Sequence, residues 1–378
     1  MKPETNGLDR PAPQSLSSRP TPARLKRFLQ ELPDNLNTPW TSISSLLAGF
    51  VGLYPGIPDL WRLGLIGGLV AIVLAGAWHK WSEQRKYRKT AIAIPFVINV
   101  ANSADTIDAL HKLFTVIERD FDLKDHLQNL QTHLHIQEED LYLKYGSGVP
   151  DELYDIDRFL RFLAVLQEKI DRLERLALND MTLCIAYIGP ASAAIAIGTF
   201  LTHSRVVFYH LDRNTNDKYY PVMTSSRKLK ETLNNLEKFE MAAYDSAGNN
   251  LTIPLNTPLV TARQLPVTLA IDAASHKISL SESSIKSFGD IVHLKSRSGG
   301  TIELEEDWGL YCQEIFNVLN NIQSYYGQQE IRLVYSMPVI LGMALGTVLQ
   351  SYWNITITQY EKSSYRDFIN LQKIPKPL

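Results

Sequence analysis

The side chains with the strongest claim to chemistry are basic and small polar groups in loops, and they suit binding of an anion. His276 and Lys277 follow an apolar run with Ser275 before them, and Lys295 and Arg297 precede Gly299-Gly300. Gly189, Pro190 and Ser192 sit in one short turn, Met337 and Pro338 in another, and Asn102, Ser103 and Thr106 in a polar loop. Arg213 and Lys218 add two cations further along. Each of these positions comes after a β-rich apolar run. The carboxyl ends of parallel strands are where open α/β sheets bind ligands. A turn that leads into a helix there offers free N–H groups and the positive end of a dipole, which suits a phosphate.

Catalytic signatures are few. The chain has no Walker A loop, no GxGxxG after a strand, no HExxH and no GxSxG. His133 and His135, spaced by two and followed by Glu138, Glu139 and Asp140, would place two imidazoles on one face of a strand, without a third ligand. Cys184 lies in an apolar strand and Cys312 in an amphipathic helix near Trp308, so both read as core residues. No metal, cofactor or catalytic group is expected.

The elements that position these loops are read from an internal repeat. Residues 181–201 and 329–349 align without a gap at an offset of 148, matching Tyr187 to Tyr335, Pro190 to Pro338, Gly198 to Gly346 and Thr199 to Thr347. Each copy reads as a strand, a turn with Pro in the first turn of a helix, and a helix apolar on nearly every face. A second strand follows each, at 206–209 and 355–358, which makes two βαβ units of parallel sheet. Each half opens on another apolar run, 91–98 and 266–271. An amphipathic helix precedes each repeated strand, over 151–178 and 306–326. The fold class is therefore α/β, with two tandem Rossmann-like subdomains over 90–225 and 262–378 and a polar connector at 234–260.

Upstream the composition changes. Residues 1–39 hold seven of the nineteen prolines and read as a disordered tail, in which 24–32 has the apolar face and flanking cations of an interfacial helix or of a nascent helix in a tail. Residues 40–80 contain two nearly uncharged runs flanked by Trp40, Tyr54, Trp61, Trp78 and Trp81. Lys80, Arg85, Lys86, Arg88 and Lys89 follow them, and the connector at 55–59 has no Lys or Arg. This predicts a two-helix transmembrane hairpin with both ends in the cytoplasm. Small residues four apart on both runs would let helices pack in lipid. For the whole chain, 38 basic against 40 acidic residues give no reason to expect duplex nucleic acid as a partner. Two cysteines exclude a disulfide scaffold.

The run Ile331-Arg-Leu-Val-Tyr-Ser-Met-Pro338, the Ala344-Leu-Gly346 helix, the strand from Ile355 to Tyr360, and Tyr365 together resemble the end of a SAVED domain. SAVED domains resemble two fused CARF-like halves. With an anchor ahead, the chain is similar to two-transmembrane SAVED effectors of bacterial CBASS antiphage systems. That resemblance implies a cyclic oligonucleotide ligand made by a cGAS-like nucleotidyltransferase, homo-oligomerisation on binding, and disruption of the bacterial inner membrane. Two rival readings are a membrane-tethered ring nuclease and a scaffold whose hairpin only tethers it.

Overall fold

The computed structural model describes Leu74, Ala75, Trp78 and residues 92–375, apart from 102–104, 147–154, 178–180, 202–204, 213–217, 226–232, 234, 254, 256–264 and 362. The tail, almost all of the predicted hairpin at 40–80, and the candidate ligands Asn102 and Ser103 lie outside the described residues. Among the described residues no helix is long and apolar enough to cross a membrane.

Two sheets with helices between and around them form the body from residue 92 onward. The first comprises β1 (Ile92–Asn99), β2 (Tyr142–Lys144), β3 (Met181–Ile188), β4 (Arg205–Asp212) and β5 (Lys218–Thr224), in the order β2-β1-β3-β4-β5. Only β5 is antiparallel to its neighbour. Its helices are α1 (Thr106–Asp120), α2 (His126–Leu134), α3 (Ile156–Leu176) and α4 (Ala191–Gly198).

The second sheet comprises β6 (Phe239–Tyr244), β7 (Asn250–Leu251), β8 (Val267–Asp272), β9 (Asp290–Ser296), β10 (Ile331–Ser336), β11 (Ile355–Glu361) and β12 (Ser364–Asn370). Its helices are α5 (Ser283–Lys286), α6 (Trp308–Tyr326) and α7 (Val339–Leu349). The strand order β12-β11-β10-β8-β9-β6-β7 contains the order of the first sheet. Strands β8, β9, β10, β11 and β12 take the places of β1, β2, β3, β4 and β5, and again only the last is antiparallel. The repeat read from residues 181–201 and 329–349 thus extends to the whole topology.

The connector expected at 234–260 is corrected by the structure. Strands β6 and β7 form a hairpin that extends the second sheet antiparallel to β9. Phe239 and Ala243 are buried, Glu240 is exposed and Met241, Ala242 and Tyr244 are half-buried, so the strand keeps a partly wet face. Glu314 of α6 is buried, and its carboxylate accepts backbone N–H bonds from Glu237 (2.7 Å), Lys238 (2.9 Å) and Phe239 (3.0 Å). Three donors compensate much of the cost of burying that charge, although burial still holds its pKa above the ordinary value.

The central strands read as continuous apolar runs because both faces are covered, and all eight residues of β1 are buried. Pro95 is tolerated there because β2 pairs only with Val97, Ile98 and Asn99. On that open stretch the Ala93 carbonyl is met instead by His126 Nε2.

The two halves join through their repeated helices. A Cβ on Gly198 would lie 2.0 Å from the Met343 carbonyl oxygen, and one on Gly346 would lie 2.1 Å from that of Ile195. Gly198 and Gly346 are equivalent in the repeat, as are Ile195 and Met343, so the crossing is a local pseudo-twofold. Outer contacts echo it. Phe159 of α3 packs on Phe368 of β12 at 5.2 Å, and Trp308 of α6 packs on His210 of β4 at 5.1 Å. Cys184 and Cys312 are buried, and burial pushes both thiols up to about 12. The two-histidine strand face does not form: His133 lies in α2, and His135 ends that helix in a left-handed conformation.

Candidate functional site

Helices α4 and α7 each begin directly after the carboxyl end of a central strand. Their N-cap residues are Pro190 and Pro338, neither of which supplies a capping side chain, and neither first turn holds an acidic residue. Both prolines are caps rather than first-turn residues. Each helix start therefore presents N–H groups that no side chain of the cap has taken. Gly189 allows close packing in the turn before the helix, since a Cβ there would meet the Tyr187 hydroxyl at 2.5 Å. The equivalent place in the second half is held by Met337, which is buried.

The two carboxyl edges lie together. Ser192, at the start of α4, donates from Oγ to Gln359 Oε1 of β11 at 2.6 Å. The equivalent tyrosines keep separate partners: Tyr187 donates to the Pro190 carbonyl at 2.8 Å and Tyr335 to the Thr358 carbonyl at 2.7 Å. Burial raises the Tyr187 hydroxyl pKa, and nearby Tyr335 raises it further. The turns also match, with Val100 N bonded to the Ile188 carbonyl and Ala273 N to the Ser336 carbonyl, both at 2.7 Å.

Of the first-half candidates, Thr106 is committed to the fold, accepting from Asn99 Nδ2 at 2.8 Å. Gly189 and Pro190 are half-buried in the turn, and Ser192 is buried in its bond across the halves. In the second half Ser275, His276 and Lys277 form an exposed loop after β8. The His276 carbonyl accepts from Ser336 Oγ, and Lys277 Nζ reaches the Ala274 carbonyl at 3.2 Å. Lys295 is exposed and in register with Asp272, which is in turn in register with Ser336 of β10. Pro338 is half-buried at the start of α7. Arg297 is set apart from this group, paired at 3.2 Å with Glu240 of the added hairpin.

Several residues around this loop are not among the sequence candidates. Asp272 is only 3% exposed, and His293 Nε2 lies 3.7 Å from its Oδ2. Burial lowers the His293 pKa, Asp272 opposes that shift, and Lys295 and Lys277 add to it. The rings of His276 and Tyr360 are 5.7 Å apart, and those of Tyr360 and Tyr365 are 4.9 Å apart. Burial raises the Tyr365 hydroxyl pKa, with Glu282, Tyr360 and Asp272 adding to the rise. Ala270, Ile278, Ile285, Ile291 and Val334 pack around Tyr365 beneath them. A signal for this group exists in the sequence: a residue two before Lys295 on a strand shares its face.

The profile of the SAVED family, the SMODS-associated and fused to various effectors sensor domain, matches residues 238–371. That span starts at the β6–β7 hairpin and covers the second sheet. No curated protein matches the sequence. Among solved structures, the Acinetobacter baumannii Cap4 SAVED/CARF-domain containing receptor with the cyclic trinucleotide 3′3′3′-cAAA is 14% identical. It has a TM-score of 0.47, with 83% of this chain and 61% of that chain covered. The same receptor with 2′3′3′-cAAA gives 14% identity and a TM-score of 0.45 at the same coverage. The Moraxella osloensis Cap4 receptor gives 12% and 0.41, covering 74% of this chain and 50% of that one.

Proposed function

We propose that the chain is a sensor of a cyclic oligonucleotide and that binding drives a membrane effector at its amino-terminal end. The observation that supports this most is the pairing of two uncapped helix N-termini across the Gly198–Gly346 crossing, in a chain whose residues 238–371 match a sensor family. A ring carries several phosphates, and two adjacent strand edges with helix starts offer several places to hold them. His276, Lys277 and Lys295 supply cations and an aromatic face beside one of those starts. The ring is the product of a cGAS-like nucleotidyltransferase in a CBASS system. Its role is that of a signal rather than a substrate.

The output belongs to residues 40–80. Their two uncharged runs, interfacial aromatics and trailing basic residues support a hairpin in the bacterial inner membrane, with the sensor on the cytoplasmic side. Two uncharged spans make no pore alone, so the active form is a homo-oligomer assembled on the ring.

The test is thermal melting of the full chain with cyclic di-, tri- and tetranucleotides, with ATP as control. A ring at 100 times its Kd adds about 2.7 kcal/mol to stability, and one ring alone should raise the melting temperature. The same ring should release dye from vesicles carrying the protein and be recovered intact. A panel in which no ring shifts melting would remove the sensor reading. A shift without dye release would leave the sensor and remove the effector.

A further inference from the structure

The two strand ends at the centre of the site are equivalent in position and opposite in chemistry. In the first half Asn99 is buried and satisfied: Nδ2 donates to Thr106 Oγ1 at 2.8 Å, and Oδ1 accepts from Ala101 N at 2.9 Å. In the second half the same place holds Asp272. Among the described residues no hydrogen bond reaches its Oδ1, and none reaches His293 Nε2 beside it. A buried polar atom without a partner destabilises the fold, and more so if it is charged. Such a group in a folded protein calls for a partner or a role.

What surrounds the pair limits its partner. His293 occupies the β9 position that Tyr142 holds in β2, so the acid–imidazole pair belongs to the second half alone. Tyr360, next to His276, is 41% exposed and gives a planar group a surface to pack on. Lys277 and Lys295 are exposed nearby. A carboxylate oxygen that lacks a donor, an aromatic face and two ammonium groups fit a nucleobase bearing an amino group, with its phosphate alongside.

We propose that Asp272 and His293 read one base of the bound ring, with Asp272 Oδ1 accepting from its exocyclic amine. This rests on the sensor reading and goes beyond it. Adenine, guanine and cytosine carry that amine, whereas uracil does not. The ring is therefore bound asymmetrically, with one base selected by the second half.

The test uses the full chain with rings of adenine, guanine, cytosine or uracil, of two to four nucleotides, and reads Kd by titration and unliganded melting by calorimetry. Wild type should bind an amine-bearing ring at least tenfold more tightly than the all-uracil ring of the same size. Asp272→Asn should weaken that ring at least tenfold while melting unliganded at the wild-type temperature or above, since a buried carboxylate with one unpartnered oxygen gives way to a neutral amide. His293→Gln should weaken it by a smaller factor. An all-uracil ring bound as well as the others would overturn the proposal and leave the sensor standing. So would Asp272→Asn binding like wild type, or Asp272→Asn failing to fold, because the carboxylate would then be structural. If no ring binds wild type, both readings fall.

Discussion

Glu314 shows how one buried carboxylate sets where a strand begins. Its two oxygens collect the N–H groups of three successive residues and so set the start of β6 against α6. Replacing it with Gln keeps the shape but turns one acceptor oxygen into a donor facing N–H groups. Glu314→Gln should cost about 1–3 kcal/mol, read as a fall of several degrees in the melting temperature of the full chain. An unchanged temperature would mean that the hairpin is held by its strand pairing alone. Asp272 escapes sequence reading for a related reason. A lone Asp at the end of an apolar run looks like a turn residue, and only the register of β8 on β9 sets it beside His293 and Lys295. Lys277 and Lys295, by contrast, are legible from order alone, because each follows or ends a strand.

The helix crossing makes its own prediction at the level of elements. Met343 O and Ile195 O are rigid backbone atoms, so a methyl at Gly198 or Gly346 cannot be absorbed by a rotamer change. Overpacking of this kind costs about 1–3 kcal/mol or more. Gly346→Ala should lower the melting temperature clearly, and Gly198→Ala should do the same by a similar amount. Gly248→Ala serves as comparison in open space, although its positive φ adds strain there. Equal behaviour of Gly346→Ala and wild type would remove the close crossing. This unit was the most legible part of the sequence, since both copies keep the same Tyr, Pro, Gly and Thr at the same spacing. The β6–β7 hairpin was not legible, because the short run Phe239–Tyr244 is followed by a polar stretch, Asp245 to Asn250, that reads as a linker.

For the molecule as a whole, three half-buried or buried histidines share one sign. His126 and His210 in the first half and His293 in the second all have pKa values lowered from 6.5, with burial the largest cause in each. Between the lowered values and 6.5 the unfolded chain binds more protons than the folded one, so stability is full above 6.5 and is lost as pH falls below it. Glu314, held above 4.5 by burial, acts with the opposite sign, in a window that opens at 4.5. The melting temperature should therefore fall between pH 7.5 and 5.5, and His126→Gln should fall by less over that interval than wild type. A flat profile would mean that the imidazoles protonate freely in place.

The Gly198–Gly346 crossing also bears on ancestry. Two copies of one α/β unit, joined head to tail in a single gene, keep the geometry of a homodimer while losing its obligation to be identical. A true dimer must offer every group twice and so suits a ligand with even symmetry. Once the copies are fused, one can keep a satisfied Asn99 while the other drifts to an unsatisfied Asp272. The fused pair is then free to evolve toward ligands with an odd number of units or a mixed composition, which no pair of identical subunits could match group for group.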